Sequence, residues 1–224
     1  MKVLLTTLLP LFALSTFSFE NDLVLKGGIS YTAAKIRGMS GTEDSLNGTG
    51  FNTHFGYKWV NWEINLSSYI FWGEAEDLTY RAQGTTYTGD GSLRHVSFGP
   101  TFKYTFNQFE PYKNWRLYAG LGPSWSLQTV KFDEPDDDQT VFNRNQKLTY
   151  ESSGGFLFIG AEEQTKYKEM HPVYIEILYS YKDSKSLTVV DTTSTTETNI
   201  LSKEESKQDL SGHYFMFTIG ITIF

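Results

Sequence analysis

Large apolar residues alternate with small or polar ones through most of the chain after residue 21, the period of two that a strand with unlike faces requires. Eight runs carry the pattern, at 22–36, 51–59, 62–72, 93–106, 115–128, 152–163, 172–182 and 212–223. In the fifth, Trp115, Leu117, Ala119, Leu121, Pro123, Trp125 and Leu127 share one face, and Arg116, Tyr118, Gly120, Gly122, Ser124 and Ser126 share the other. No helical period competes with it. The pattern predicts an all-β chain of eight antiparallel strands, or ten if the third or fourth long connection hides a hairpin.

The segments between the runs alternate in length. Those at 37–50, 73–92, 129–151 and 183–211 are long and rich in Gly, Thr, Asp, Lys and Ser, whereas those at 60–61, 107–114 and 164–171 are short. A closed up-and-down barrel with an even number of strands and both termini at one end sorts its turns in this way. A soluble sandwich has no reason to do so.

The polar face decides which way the apolar one points. Gly28, Ser30, Thr32, Asn52, Gly56, Asn65, Ser67, Ser97, Gly99, Thr101, Gly120, Gly122, Ser124 and Ser126 are too small, and too poor in Lys and Glu, to make a water-facing surface. They suit the crowded interior of a narrow barrel whose apolar face meets lipid. Trp59, Trp62, Trp72, Tyr104, Trp115, Trp125 and Tyr181 sit at run ends, where an interfacial aromatic girdle belongs.

Composition narrows the picture further. The chain has 224 residues, a net charge of −7, 16% aromatic residues and no cysteine, which removes disulfides, thiolate metal sites and cysteine nucleophiles. An acidic balance argues against nucleic acid. Residues 1–18 read as a signal peptide, with Lys2 before an apolar core and Thr16 and Ser18 at the cleavage positions, so 19–224 is the mature barrel.

Taken together, the export signal, the eight runs, the unequal connections and the terminal strand at 212–223 resemble the small eight-stranded bacterial outer-membrane barrels of the OmpA, OmpX and OmpW type. The resemblance covers the mature chain and is architectural. It implies a monomer integral to the outer membrane with periplasmic termini and no cofactor. Membrane lipid and lipopolysaccharide, the barrel insertion machinery and an extracellular ligand held by the loops are the implied partners. Phe224 looks like the terminal insertion signal of such barrels, but Phe215, Phe217, Ile219, Ile221 and Ile223 occupy the opposite parity, so the last residue flips at the rim or a bulge resets the register.

Eight strands leave a bore that side chains fill. The expected polar network inside it is Lys26, Lys58, Glu63, Lys103, Arg116, Glu162 and Glu176, with His54, His95, Tyr118 and Lys182 beside it. A symmetric turn at Val60-Asn61 sets Lys58 opposite Glu63 as an inward ion pair. These charges form either a plug or, as in OmpW-type barrels, a narrow conduit for small solutes. Other features bear on a lipid-modifying activity. His95 and Ser97 carry the His-x-Ser spacing of PagL-type lipid A deacylases, with Glu110 further on, but the next residue is Phe98 and the pair faces inward. Gly99-Pro100 and Gly122-Pro123 bring two prolines to facing positions on the lipid side, a candidate lateral seam like that of PagP-type palmitoyl transferases; two bulges that curve the wall are the alternative. Asp133, Glu134, Asp136, Asp137 and Asp138 crowd the third long connection, either a divalent-cation site or a solvated acidic loop. The fourth, at 184–211, reads as a mobile surface segment.

Overall fold

The computed structural model describes residues 23–37, 46–82, 85–106, 114–132, 146–163, 171–191, 199, 201–207 and 209–223. They form eight strands: β1 (Leu23–Ile36), β2 (Leu46–Trp59), β3 (Trp62–Ala82), β4 (Thr85–Thr105), β5 (Trp115–Phe132), β6 (Gln146–Glu163), β7 (Val173–Asp191) and β8 (Gly212–Thr222). Each pairs antiparallel with its sequence neighbours, and β1 pairs with β8, so the wall closes into an up-and-down barrel in strand order. Among the described residues no ninth or tenth strand enters that wall.

The strands outrun the alternating segments that predict them. β3 and β4 stay paired out to Ala82 and Thr85, so the connection expected over 73–92 is nearly all hairpin. β5 reaches Phe132, β6 begins at Gln146 and β7 ends at Asp191. At the other end Val60-Asn61 joins β2 to β3, with Trp59 opposite Trp62 and Lys58 opposite Glu63. Val60 has a φ of 53°, the left-handed region that a β-branched residue enters at a cost.

Parity sorts the side chains as the small-residue face predicts. Ile29, Phe51, Ile64, Leu66, Leu121 and Leu157 are all more than half exposed on the outside, while Thr32, Ser67, Ser97, Thr101 and Thr218 are fully buried within. Trp59, Trp62, Tyr104 and Trp115 ring the short-turn end. Trp72 and Trp125 each stand ten residues further along their strands than Trp62 and Trp115. Ten residues rise about 33 Å along a strand, and a tilt near 40° reduces this to roughly 25 Å, the height of a membrane barrel's apolar band.

Beyond the upper aromatic ring the two faces exchange character. Lys35, Asn47, Glu74, Arg94, Lys131 and Glu151 point outward and are exposed. Ile36, Leu46, Leu93, Val130, Leu148, Leu187 and Val189 pack together inside. A shift between Glu151 and Ser152 sets them opposite Ser186 and Ser184, and this bulge moves the inward parity of β7 from Lys182 to Leu187. The expectation of a polar bore is therefore corrected for this section, since a wall that meets water on the outside needs an apolar interior.

The fourth connection is corrected as well. Residues 184–191 complete β7. Leu201 and Leu210 are buried in the apolar cluster, on either side of a short 3-10 turn at Glu205–Lys207. Asn199 Oδ1 accepts from the amides of Val189 and Leu201, both at 3.1 Å, Leu210 N donates to Ser184 Oγ at 2.9 Å, and Arg37 meets Asp209 at 3.4 Å. This segment lids the mouth of the barrel.

Candidate functional site in the barrel bore

Four strands bring Lys26, Glu63, Lys103 and Glu162 together near the short-turn end. Lys26 Nζ lies 3.3 Å from Glu63 Oε2 and 2.8 Å from Glu162 Oε2, and Lys103 Nζ lies 3.0 Å and 2.8 Å from the same two oxygens. Ammonium and carboxylate thus alternate around a ring whose charges cancel. Asn65 Nδ2 donates to Glu63 Oε1 and Thr222 Oγ1 to Glu162 Oε1, each at 2.8 Å, so every carboxylate oxygen is engaged. Lys103 also sits 4.1 Å over the Tyr118 ring. A buried set of charges persists only when paired and hydrogen-bonded in this way.

Above the tetrad, Glu176 accepts from Tyr69 Oη at 3.3 Å and Tyr118 Oη at 3.2 Å, with His54 Nε2 3.9 Å away. His54 Nδ1 lies 2.8 Å from Ser67 Oγ, which lies 2.7 Å from Thr101 Oγ1. Tyr174 Oη donates to Asn52 Oδ1 at 3.0 Å. Higher again, Gln128 Nε2 donates to Ser126, Ser152 and Tyr214, and Lys182 Nζ lies 3.2 Å from His95 Nε2.

The remaining candidates fall elsewhere. Lys58 is half-buried near the short-turn rim; although it stands opposite Glu63 in register, the ammoniums on Glu63 are those of Lys26 and Lys103. Lys103 is the register partner of Glu63 on β4 and Lys26 reaches it from β1, whereas Lys58 sits two residues from the turn. Arg116, opposite Glu162, is half-buried and its Nε has no hydrogen-bond partner. His95 and Ser97 both face inward as expected. Ser97 Oγ has no partner, and His95 lies between the rings of Phe71 and Tyr214 with its Nε2 against Lys182. The two therefore form no nucleophile–base pair. Pro100 and Pro123 lie where the β4–β5 ladder lapses: Phe98 pairs with Trp125 and Phe102 with Leu121 in one unchanged register, with no pairing between. Among the described residues no cluster of His, Asp and Glu could hold a metal ion. Glu110, Asp133, Glu134, Asp136, Asp137, Asp138, Phe224 and the signal peptide lie outside the described residues.

Sequence reasoning missed the inward aromatics Tyr69, Phe71, Phe156, Phe158 and Tyr214, all buried. The signal was present in β6, where Phe156, Leu157, Phe158 and Ile159 are apolar on both parities. Opposing glycines make room for such rings: a Cβ on Gly120 would strike the Phe158 ring, and one on Gly160 the Tyr118 ring.

No protein-family model matches the sequence, and a comparison with curated proteins finds no match. Solved structures do match. Neisserial surface protein A (NspA) superposes with a TM-score of 0.51 at 12% identity, over 89% of this chain and 95% of that one. The outer membrane protein OprG from Pseudomonas aeruginosa superposes with a TM-score of 0.51 at 14% identity, over 90% of this chain and 94% of that one. At such identities the likeness is one of fold, and this chain has the closed eight-stranded antiparallel architecture of small outer-membrane barrels.

Proposed function

We propose that this chain is a monomeric, non-enzymatic barrel of the bacterial outer membrane. Its bore is plugged, and its work in surface interaction or envelope integrity is done by the part that stands outside the membrane. The outward apolar band between two aromatic rings supports the placement in lipid, with lipopolysaccharide around the long-strand end, both termini periplasmic and the insertion machinery as assembly partner. The charge-neutral tetrad and the packed apolar mouth support a filled bore.

The observation that carries the reading is the β3–β4 hairpin. Pairing with β2 ends at Asn47 opposite Glu74, and pairing with β5 ends at Gly91 opposite Phe132, while β3 and β4 remain paired to Ala82 and Thr85. Among the described residues this two-stranded ribbon therefore rises beyond both neighbours with no strand paired to its edges, a geometry that suits strand addition by an extracellular protein. Replacing residues 76–89 by a short turn should leave the heat-modifiable folded band on gels intact and abolish attachment of cells to their binding surface. Unchanged attachment, or a lipid A profile altered by deleting the whole chain, would overturn the reading.

A second reading follows from the lapse in the β4–β5 ladder. Pro100 and Pro123 would then mark a lateral seam between bore and lipid.

A further inference from the structure

Lys182 differs from the other lysines buried in the bore. Lys26 and Lys103 each contact two carboxylates. Lys182 is equally buried, yet among the described residues no carboxylate lies within ion-pair distance of it. Glu176 stands six residues away on the same strand, roughly 20 Å along it, and is engaged by Tyr69 and Tyr118.

The surroundings of Lys182 are rich in donors. An ammonium only donates, so at 3.2 Å His95 Nε2 must accept from it, which places the ring proton on Nδ1. That Nδ1–H is buried and has no partner, and neither has Ser97 Oγ, Ser124 Oγ nor Ser180 Oγ. Ser97 is two residues from His95 on the same inward face, and Ser180 is two from Lys182. The cross-strand partners of Lys182 are Gly212 on β8 and Gly154 on β6, and Gly154 is followed across β5 by Ser124. Apart from Lys182, then, this arc carries nothing larger than serine.

We propose that this part of the bore binds one halide-sized inorganic anion, held by the Lys182 ammonium and neighbouring serine hydroxyls. A buried positive charge and surplus donors are the complement of a small anion. The rings of Phe156 and Tyr214, 5.3 Å and 5.4 Å from Nζ, flank the ammonium with apolar surface. A polyoxyanion would leave oxygens unpaired there, and a monatomic ion would not. The site stands apart from whatever the outer hairpin binds.

The test uses the mature protein refolded in detergent with sodium bromide. Crystals should show an anomalous bromide peak in contact with Lys182 Nζ. In solution the unfolding midpoint should rise with bromide relative to methanesulfonate at equal ionic strength. The rise should vanish in Lys182→Met and shrink in the Ser97→Ala/Ser124→Ala double variant. If Lys182→Met fails to fold, the serine variant decides the matter. Absence of the peak, or a bromide response that is missing in the wild type or unchanged in the folded variants, would overturn the proposal.

Discussion

Glu63 and Glu162 each present a single oxygen to two ammoniums, so the tetrad is held together by sharing rather than by separate pairs. Removing one member leaves its opposites buried and uncompensated. Lys103→Met strands two carboxylates on Lys26 alone and should destabilise the barrel by about 3–5 kcal/mol. Adding Glu162→Gln to it restores neutrality and should recover part of that loss. Urea titration of the folded band in detergent checks both, and a single variant as stable as wild type would remove the tetrad from the account of stability. All four members were legible as inward-facing from parity alone, because a period of two fixes the face of every residue once one is known. Their partnership was not legible. Of its two register neighbours Glu63 meets Lys103 and not Lys58, and it also meets Lys26 from β1, since the bore lets side chains from non-adjacent strands meet at the axis.

At the scale of strands, the sequence pattern located all eight but cut most of them short. The reason is visible in β5. Through Leu127 the apolar residues take the outward parity, and at Val130 they change to the inward one. A search for one continuous stripe stops at that change and takes the remainder for loop. In β7 the bulge at Lys185 hides the continuation in the same way. The parity of Pro100 and Pro123, by contrast, was readable, and they lie at facing positions where pairing lapses over 99–101 and 122–124. Proline donates no ladder hydrogen bond, and a bulge would have shifted the register, which stays constant. Amides of Phe98, Phe102, Leu121 and Trp125, which border the lapse, should therefore exchange with deuterium faster than those of Val96, Tyr104, Ala119 and Leu127 further along the same seam. Uniform protection across β4 and β5 would remove the seam.

The whole molecule is a stack of zones, each matched to what lies outside it. Where lipid meets the wall, the bore holds paired charges and hydroxyls; where water meets it, the bore becomes an apolar core lidded by Leu201 and Leu210. On the proposed reading of a filled bore these are two barriers in series, and they should fail independently. Leu210→Ala removes a side chain only 2% exposed from the upper core and should cost about 2–5 kcal/mol of local stability. Its effect belongs to the lid, where Leu210 packs into the upper core beside the Asn199 and Ser184 hydrogen bonds, the contacts of Ser211 with Arg37 N and Asp183, and the exposed Arg37–Asp209 pair. Limited proteolysis of whole cells should then cut within the connection between β7 and β8 while the heat-modifiable band persists. Planar-bilayer conductance should stay near zero, because Tyr69, Tyr118 and the tetrad still fill the bore below. Conductance in Leu210→Ala alone would mean that the lid is the only barrier and that the polar tiers line a passage.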